Sequence, residues 1–193
     1  MTVSATSGSN GLAGLPGGLR KFLKDSFVTA GNIRAAEDGR YNVFDKKLNF
    51  IPKVGTAVKQ NNHVTVDKKV GNKYFAKVKA TTTFSPARAN SVGLIAKKQD
   101  ENNYLAIEVN SSNEVRFMKY ENGNRSILKS VKMEKSTGKE FTMSLDVNVN
   151  RFTFYINDRK VFSETDGSFK NGEFGFGAFE GPASFSDLEI YKA

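Results

Sequence analysis

The feature that most constrains this chain is a succession of short runs in which apolar and polar side chains alternate. Residues 74–83 and 115–120 alternate in this way, and the second run leads into Asn122-Gly123. A period of two is typical of a β-strand with one buried face, and Asn-Gly is a strong hairpin signal. No segment has helical periodicity over the ~11 residues that such a pattern needs. The pattern predicts an all-β, antiparallel two-sheet sandwich of the jelly-roll type.

Composition along the chain predicts one folded domain behind a flexible leader. Residues 1–18 are rich in Gly, Ser, Thr and Ala and cannot bury a core. Residues 19–193 have the length of one domain. The stretch 19–23 fits either a helical turn or the start of the first strand. The first residues lack the basic and apolar regions of a signal peptide, so the chain is either not exported by that route or a fragment of a longer exported chain.

Several kinds of chemistry are missing from the sequence. There is no Cys, and His63 is the single histidine, which excludes thiolate sites and leaves no ordinary zinc site. His63 follows Gln60-Asn61-Asn62, and this polar stretch predicts a turn rather than part of a catalytic triad. No acid pattern of a glycosidase is present on a strand. We therefore predict a protein that is not an enzyme. No apolar run approaches the ~20 residues of a membrane helix, so membrane insertion is not expected.

The chain is basic, with 29 Lys and Arg against 20 Asp and Glu, a formal net charge of +9. Such a balance raises the question of nucleic acid or anionic surfaces. No standard nucleic-acid motif is present, and no specific nucleic-acid partner is expected. Many lysines alternate with apolar residues, which predicts the wet face of a sheet, with a functional anion-binding surface as the alternative. These lysines are Lys77, Lys79, Lys97, Lys98, Lys119, Lys129, Lys132 and Lys135.

Four stretches resemble the concanavalin A-like lectin and glucanase superfamily, most closely its laminin-G-like and levan-binding carbohydrate-binding modules. Leu-Lys-Asp-Ser-Phe at 23–27 resembles the opening strand, and residues 41–48 resemble a hairpin with Lys where Gly is usual. The most specific stretch is 92–104, which contains Gly-Leu and then Asp-Glu-Asn-Asn-Tyr. Residues 172–190 resemble the closing strands. The resemblance covers about residues 22–193 and implies two stacked antiparallel sheets, one of them concave.

The resemblance implies a sugar site on the concave face or its rim loops. Aromatic rings stack on sugar rings, while carboxylates, amides and Arg bond vicinal hydroxyls. The chain has no Trp, the commonest platform for a sugar, so a tyrosine would have to serve. For each candidate, a turn or strand-surface role is the alternative. The candidate ligand-binding residues are Gln99, Asp100, Glu101, Asn103, Tyr104, Arg116 and Tyr120.

Glucanase relatives carry a structural calcium ion, which the resemblance implies here as a possible cofactor. Asp187, in Phe185-Ser186-Asp187-Leu188, matches the position of the aspartate ligand in the closing strand, and Asp25 is a second candidate. Oxygen ligands suit a hard cation. The alternative is that Asp187 caps a turn or pairs with a lysine.

Three hypotheses follow for function. The first is a non-catalytic, lectin-like module that binds a glycan or polysaccharide and tethers a larger exported protein. The second is a structural or interaction domain of a surface layer, an adhesin, or a phage or virus particle, with protein partners or self-assembly. The third is a divergent glycosidase. The first two place the chain outside the cell or on a cell or particle surface.

Overall fold

The computed structural model describes most of the chain: residues 20–25, 33–35, 41–50, 62–66, 69–82, 91–134 and 139–193. The predicted leader, residues 1–18, lies outside the described residues, so the domain boundary stays a prediction. Every regular element of the described part is a strand. Accordingly, the described residues contain no helix of the length and hydropathy that a membrane crossing requires.

Fifteen strands occur in the described part of the chain. They are Arg20–Asp25 (β1), Ile33–Ala35 (β2), Tyr41–Phe44 (β3), Lys47–Phe50 (β4), Asn62–Val66 (β5), Lys73–Thr82 (β6), Ser91–Lys98 (β7), Tyr104–Asn110 (β8), Glu114–Glu121 (β9), Asn124–Lys132 (β10), Glu140–Asn148 (β11), Arg151–Ile156 (β12), Arg159–Thr165 (β13), Glu173–Glu180 (β14) and Ala183–Lys192 (β15).

The strands form two antiparallel sheets that stack as a sandwich. The first sheet has the order β13-β12-β11-β6-β15-β4-β3, with β1 also paired to β15. The second sheet has the order β10-β9-β8-β7-β14-β5-β2. The predicted fold class, an all-β jelly-roll sandwich, is confirmed.

The core lies between the sheets and is rich in phenylalanine. Phe152 belongs to the first sheet and Phe117 to the second, and their fully buried rings are 5.3 Å apart between centroids. Phe176 of the second sheet and Phe185 of the first make a similar contact at 5.0 Å. Aromatic pairs of this kind add about 0.5–1.5 kcal/mol to the free energy gained by burial. These rings join the two sheets without any tryptophan.

Strand β15 is central to the first sheet because three strands share its two edges. One edge pairs with β6, while the other pairs first with β4 and then with β1. The ladder with β1 places Arg20 opposite Lys192. Between these two halves the register shifts at Asp187, whose φ is 53°. The first and last described strands are therefore neighbours.

The hairpin turns follow from residues that tolerate a left-handed backbone. Asn122 and Gly123 have φ of 52° and 75°, as expected for the predicted turn between β9 and β10. Asn157-Asp158 also forms a turn at its predicted place. The turn between β3 and β4 lies at Asp45-Lys46, one residue before the predicted Lys46-Lys47, because β4 already begins at Lys47.

Three local expectations are settled by the pairing of strands. The stretch 19–23 leads into a strand rather than a helical turn, since β1 begins at Arg20. The predicted turn at His63 is wrong: the residue lies within β5 and its side chain is fully buried. The short strand β2 was not predicted from the sequence. It is visible only through its pairing with β5.

The expectation of a wet face is wrong for two lysines of β7. Lys97 has a φ of 52°, so the strand is irregular there and its side chain is fully buried. Its ammonium donates to Asn150 Oδ1 at 3.2 Å and to the carbonyl of Phe169 at 2.8 Å. Burial lowers the Lys97 pKa, and these acceptors offset part of that cost. Lys98 is also buried.

Candidate functional site

The candidate site lies on the outer face of the second sheet, away from the core. Alternation along β8 directs Leu105 and Ile107 into the core, so Tyr104 and Glu108 point to the opposite side. Neighbouring strands place further polar and aromatic side chains on the same side. We call this surface the tyrosine face; its members are His63, Lys98, Glu101, Tyr104, Glu108, Tyr120 and Arg125.

Glycines let the strands approach closely beneath this face. A Cβ on Gly93 would lie 2.3 Å from the carbonyl oxygen of Ile107 on β8. A Cβ on Gly175 or Gly177 would similarly meet carbonyl oxygens of β5, at 2.3 and 2.5 Å. Such separations are too short for any other residue. The glycines of 174–179 therefore serve close strand packing.

The centre of the tyrosine face is a stacked pair of rings. Tyr104 and Tyr120 lie opposite each other on β8 and β9, with ring centroids 4.3 Å apart and planes inclined by 15°. Tyr104 has no exposed surface, whereas Tyr120 is partly exposed. Burial raises the pKa of both phenols. Tyr120 is therefore the ring that an incoming molecule can reach, and Tyr104 supports it from below.

Apolar side chains on the same face hold this pair in place. Tyr104 belongs to a second, smaller hydrophobic cluster that is separate from the main core. Its other buried members are Ile95, Ala106, Met118 and Phe179, and Tyr120 packs against them. The apolar packing fixes the rings before any ligand arrives, which lowers the entropy cost of binding.

Glu108 provides the acid beside the rings. Only 3% of this side chain is exposed. One carboxylate oxygen accepts a hydrogen bond from the Tyr120 hydroxyl at 3.0 Å, and the other accepts one from Arg125 at 3.1 Å. These donors compensate the buried charge and orient both partners. Ring, carboxylate and guanidinium thus form one connected unit.

A second acid, Glu101, lies on the other side of Tyr104. It accepts a hydrogen bond from the Lys98 ammonium at 2.5 Å, and its second oxygen is 3.5 Å from His63 Nε2. The His63 ring packs against Tyr104 at 6.0 Å between centroids. The negative charges of Glu108 and Glu101 both act on the Tyr104 phenol and add to the rise in its pKa. Both acids therefore flank the same buried ring.

A cavity opens at the edge of the face, where the ends of the strands meet. Its volume is about 520 Å³, within the range of small-molecule sites. Arg34 on β2 forms an ion pair with Glu173 on β14 in its wall. The amide of Gln99 also lines it and donates to the carbonyl of Asn171. The remaining lining residues are Val66, Lys69, Gly71 and Gly172.

The loop between β7 and β8 is held by its own polar side chains. Asp100 accepts hydrogen bonds from the backbone amide of Asn102 at 2.7 Å and from the side chain of Asn103 at 3.0 Å. These bonds, the backbone one first, lower the Asp100 pKa. Asn103 in turn accepts from the backbone amide of Asn122. Asp100 and Asn103 thus shape the loop, the turn role that was their alternative.

Arg116 lies on the same face but is held at a distance from the tyrosine pair. It forms an ion pair with Glu114 on its own strand. Glu114 also accepts hydrogen bonds from Ser130 and Asn110. These donors, the Ser130 hydroxyl first, lower the Glu114 pKa to about 2. The guanidinium is therefore already paired.

The structure brings three of the seven predicted site residues into one cluster: Glu101, Tyr104 and Tyr120. Gln99 lines the adjoining cavity. Four members of the tyrosine face were not predicted as site residues: His63, Lys98, Glu108 and Arg125. Strand alternation carries the signal for Glu108, because Tyr104 and Glu108 are separated by an even number of positions on one strand. Whether any of these residues binds a ligand stays a prediction.

The two predicted calcium ligands lie on paired strands: Asp25 on β1 is opposite Leu188 on β15, the residue next to Asp187. Asp187 is exposed, and the open cavity beside it is also lined by Lys77 and Lys79. The hydrogen bond and charge of Glu140 raise the Lys79 pKa, and the charge of Asp187 adds a smaller rise. The two lysines form ion pairs with other acids, Lys77 with Asp158 and Lys79 with Glu140. The calcium ion stays a prediction. The Asp25 side chain is not among the described ones. No cluster of three His, Asp or Glu suited to a metal occurs within the described residues.

Comparisons with known proteins agree on the fold. No protein-family model matches the chain. Over 91 residues, 47% of the chain, it is 30% identical to a levanase of Bacillus subtilis (strain 168), and the match spans 13% of that protein. The carbohydrate-binding module CBM66 from Bacillus subtilis superposes with a TM-score of 0.59 at 16% identity, covering 83% of this chain and 92% of that one. A β-glucanase of Bacillus licheniformis gives 0.62 at 11% identity, covering 90% and 98%. The chain therefore has the jelly-roll fold of the concanavalin A-like lectins and glucanases.

Proposed function

We propose that this chain is a non-catalytic carbohydrate-binding module of the laminin-G-like, levan-binding type. The observation that carries the proposal is the connected unit of Tyr120, Glu108 and Arg125 on the tyrosine face. A partly exposed ring offers a platform for the apolar side of a sugar. The carboxylate and guanidinium beside it are planar groups that match pairs of vicinal hydroxyls.

The charges of the tyrosine face suit a neutral glycan. Arg125 is paired with Glu108 and Lys98 with Glu101, and in the adjoining cavity Arg34 is paired with Glu173. An anionic ligand would need a cation that is not already compensated. Sugar hydroxyls both donate and accept, so they can bond such pairs without separating them.

The comparisons support the proposal and suggest a first ligand. The two Bacillus subtilis proteins are a levanase and a carbohydrate-binding module. The match to the levanase covers a small part of that enzyme, which fits a module beside a catalytic domain. We therefore take levan as the first polysaccharide to test. A place outside the cell, or on a cell or particle surface, belongs to the same proposal.

The test is a titration of the protein with levan and with soluble oligosaccharides of cellulose, xylan and laminarin. Tyr120→Ala should raise the Kd at least tenfold, about 1.4 kcal/mol, because the platform ring is lost. Tyr41→Ala, on the first sheet, is the matched control and should leave the Kd unchanged. Tyr120→Phe keeps the ring and removes the hydroxyl, so its smaller effect would measure the link to Glu108. A Kd that is the same in all three variants would refute this site.

A glycosidase is the second candidate, because Glu101 and Glu108 flank the same ring. Hydrolysis by a carboxylate pair needs one acid that is protonated and one that is ionised. Here each acid already forms an ion pair with a cation, Glu101 with Lys98 and Glu108 with Arg125. We expect no release of reducing sugar from levan. Release that is abolished by Glu108→Gln would establish the enzyme instead.

Two further proposals concern partners and a cofactor. The edge strand β10 exposes Ile127 and Leu128, which leaves room for the interaction-domain hypothesis. Light scattering of the purified protein would detect self-assembly.

A structural calcium ion would raise the melting temperature when it is added and lower it when a chelator removes it. A melting temperature that is equal in both conditions would exclude that ion.

A further inference from the structure

The outer face of the first sheet carries an unexpected row of aromatic rings. Tyr155 on β12, Phe75 on β6 and Tyr191 on β15 are contributed by three different strands. Phe75 lies 6.4 Å from Tyr155 and 6.4 Å from Tyr191, measured between ring centroids. None of them belongs to the core between the sheets. Phe75 and Tyr191 are buried, and Tyr155 is the partly exposed ring of the three.

Two polar side chains of β11 lie within this row and have unused hydrogen-bonding capacity. Asp146 is opposite Phe75 in the ladder and accepts no hydrogen bond from the described residues. Burial raises its pKa, with a smaller opposing effect from Arg151. Ser144 lies opposite Tyr155 on one side and Lys77 on the other. Its hydroxyl is buried and has no hydrogen-bond partner among the residues that the structure describes, which is uncommon in folded proteins.

Asp146 is close enough to the rings to act on them. Its negative charge adds to the rise in the Tyr155 pKa, which burial causes in the first place. We call the five residues Phe75, Ser144, Asp146, Tyr155 and Tyr191 the aromatic strip. Phe75 and Tyr191 form its floor, while Tyr155 is only half-buried and presents its ring to solvent.

An open cavity of about 230 Å³ continues the strip along the strands. Two cations, Lys77 and Lys79, and two acids, Asp187 and Glu189, line it together with Thr142. Glu189 also accepts a hydrogen bond from the Tyr191 hydroxyl at 2.9 Å, which links the cavity to the strip. The charges in this cavity balance. The surface therefore complements a neutral molecule rich in hydroxyl groups better than an ion.

We propose that the aromatic strip is a second saccharide-binding site, on the sheet opposite the tyrosine face. A sugar ring packs on Tyr155, and its hydroxyls donate to the Asp146 carboxylate. The next unit of the chain reaches the cavity at Lys77 and Glu189. The site is independent of the proposed function, because no residue of the tyrosine face contributes to it. With both sites occupied, one domain would bridge two glycan chains.

The experiment is calorimetry with levan and with hexasaccharides of cellulose, xylan and laminarin, on four proteins. These are the unmodified chain, Tyr120→Ala, Tyr155→Ala and the double variant. We expect two sites per chain in the unmodified protein, one in each single variant and none in the double variant. Asp146→Asn keeps the size of the side chain but removes the carboxylate. It should raise the Kd of the second site about tenfold. Melting temperatures confirm that each variant is folded.

The outcomes separate the two proposals. A single site that only Tyr120→Ala removes would overturn the second site and leave the proposed function standing. A single site that only Tyr155→Ala removes would overturn the proposed site on the tyrosine face and leave the second site standing. Absence of binding by the unmodified, folded protein to all four saccharides would overturn both. A dimer in light scattering that Tyr155→Ala dissociates would assign the strip to a second copy of the chain and overturn the saccharide site.

Discussion

The outer faces of the two sheets differ in the hydrogen bonds that they donate to a carboxylate. On the second sheet, Glu114 receives hydrogen bonds from Ser130, Arg116 and Asn110, and its pKa falls to about 2. On the first sheet, Asp146 receives none from the described residues, and burial raises its pKa. Strand geometry is the same in both places. The supply of donors on neighbouring strands therefore decides whether a half-buried acid stabilises the folded state as an ion.

The same contrast extends to the whole surfaces. The tyrosine face satisfies its buried acid, Glu108, through Tyr120 and Arg125, and so resembles a site organised in advance. In the aromatic strip, the Asp146 carboxylate and the Ser144 hydroxyl make no hydrogen bond with the described residues. The Tyr104 hydroxyl of the tyrosine face is also buried without a partner among the described residues, so the contrast concerns the two acids. A ligand would form new hydrogen bonds with Asp146, whereas it would share those that Glu108 already makes.

The largest effect should come from the glycines that distinguish the second sheet. Gly93→Ala places a Cβ against the Ile107 carbonyl at 2.3 Å, and backbone has to move. We expect a loss of about 3 kcal/mol or more in the free energy of unfolding, by denaturant titration. Gly167→Ala is the control, since its nearest atom belongs to the Asn150 side chain at 3.3 Å. Equal losses in both variants would contradict the role of close strand approach.

An intermediate effect is expected from acid. Because the pKa of Glu114 is lower in the folded chain, its contribution is present above the unfolded value of about 4.5 and is lost as the pH falls towards 2. Glu114→Gln should therefore cost about 1–2 kcal/mol at pH 7, after allowance for partial exposure, and little at pH 2. Unfolding titrations at the two pH values measure this. Glu121→Gln, at a more exposed acid of the same strand, is the control and should cost less than Glu114→Gln at pH 7.

The smallest effect has the opposite sign and tests the first sheet. A raised pKa means that Asp146 favours the folded state in its protonated form, below its unfolded pKa, and that this contribution is lost as the pH rises through the folded value. Asp146→Asn should thus be neutral or stabilising by up to about 1 kcal/mol at pH 7. The gain should disappear at pH 3. If Asp146→Asn lowers the free energy of unfolding at pH 7, the ionised Asp146 stabilises the folded state as Glu114 does, and the two faces do not differ.

The sequence predicted turns and strands well where the conformation depends on neighbouring residues alone. The Asn122-Gly123 turn needs two residues that accept positive φ, and the sequence supplies them. The strand β6 lies within one residue of the alternating run 74–83. His63 was misread because its polar neighbours favour a turn, whereas pairing with β14 makes it a buried strand residue. Tertiary pairing overrides local preference there.

The sites depend on contacts that the sequence does not display. Glu108 meets Tyr120 and Arg125 through two successive hairpins, so alternation and turn signals together could have found it. The aromatic strip is different, because Phe75, Tyr155 and Tyr191 meet only through the strand order of the first sheet. Nothing local specifies that β11 lies between β12 and β6. That order is set by the packing of the whole core.

The pairing of β1 with β15 also determines how the domain would respond to a pulling force. Arg20, at the start of β1, lies opposite Lys192, at the end of β15, and the two strands are antiparallel. If the domain is held in series through its two ends, tension is applied at one end of this ladder. The hydrogen bonds would then open one after another, as in a zip, instead of sharing the load in shear. A strand pair loaded in this way yields at low force, so the β1–β15 ladder would be the first part to open in a stretched tether.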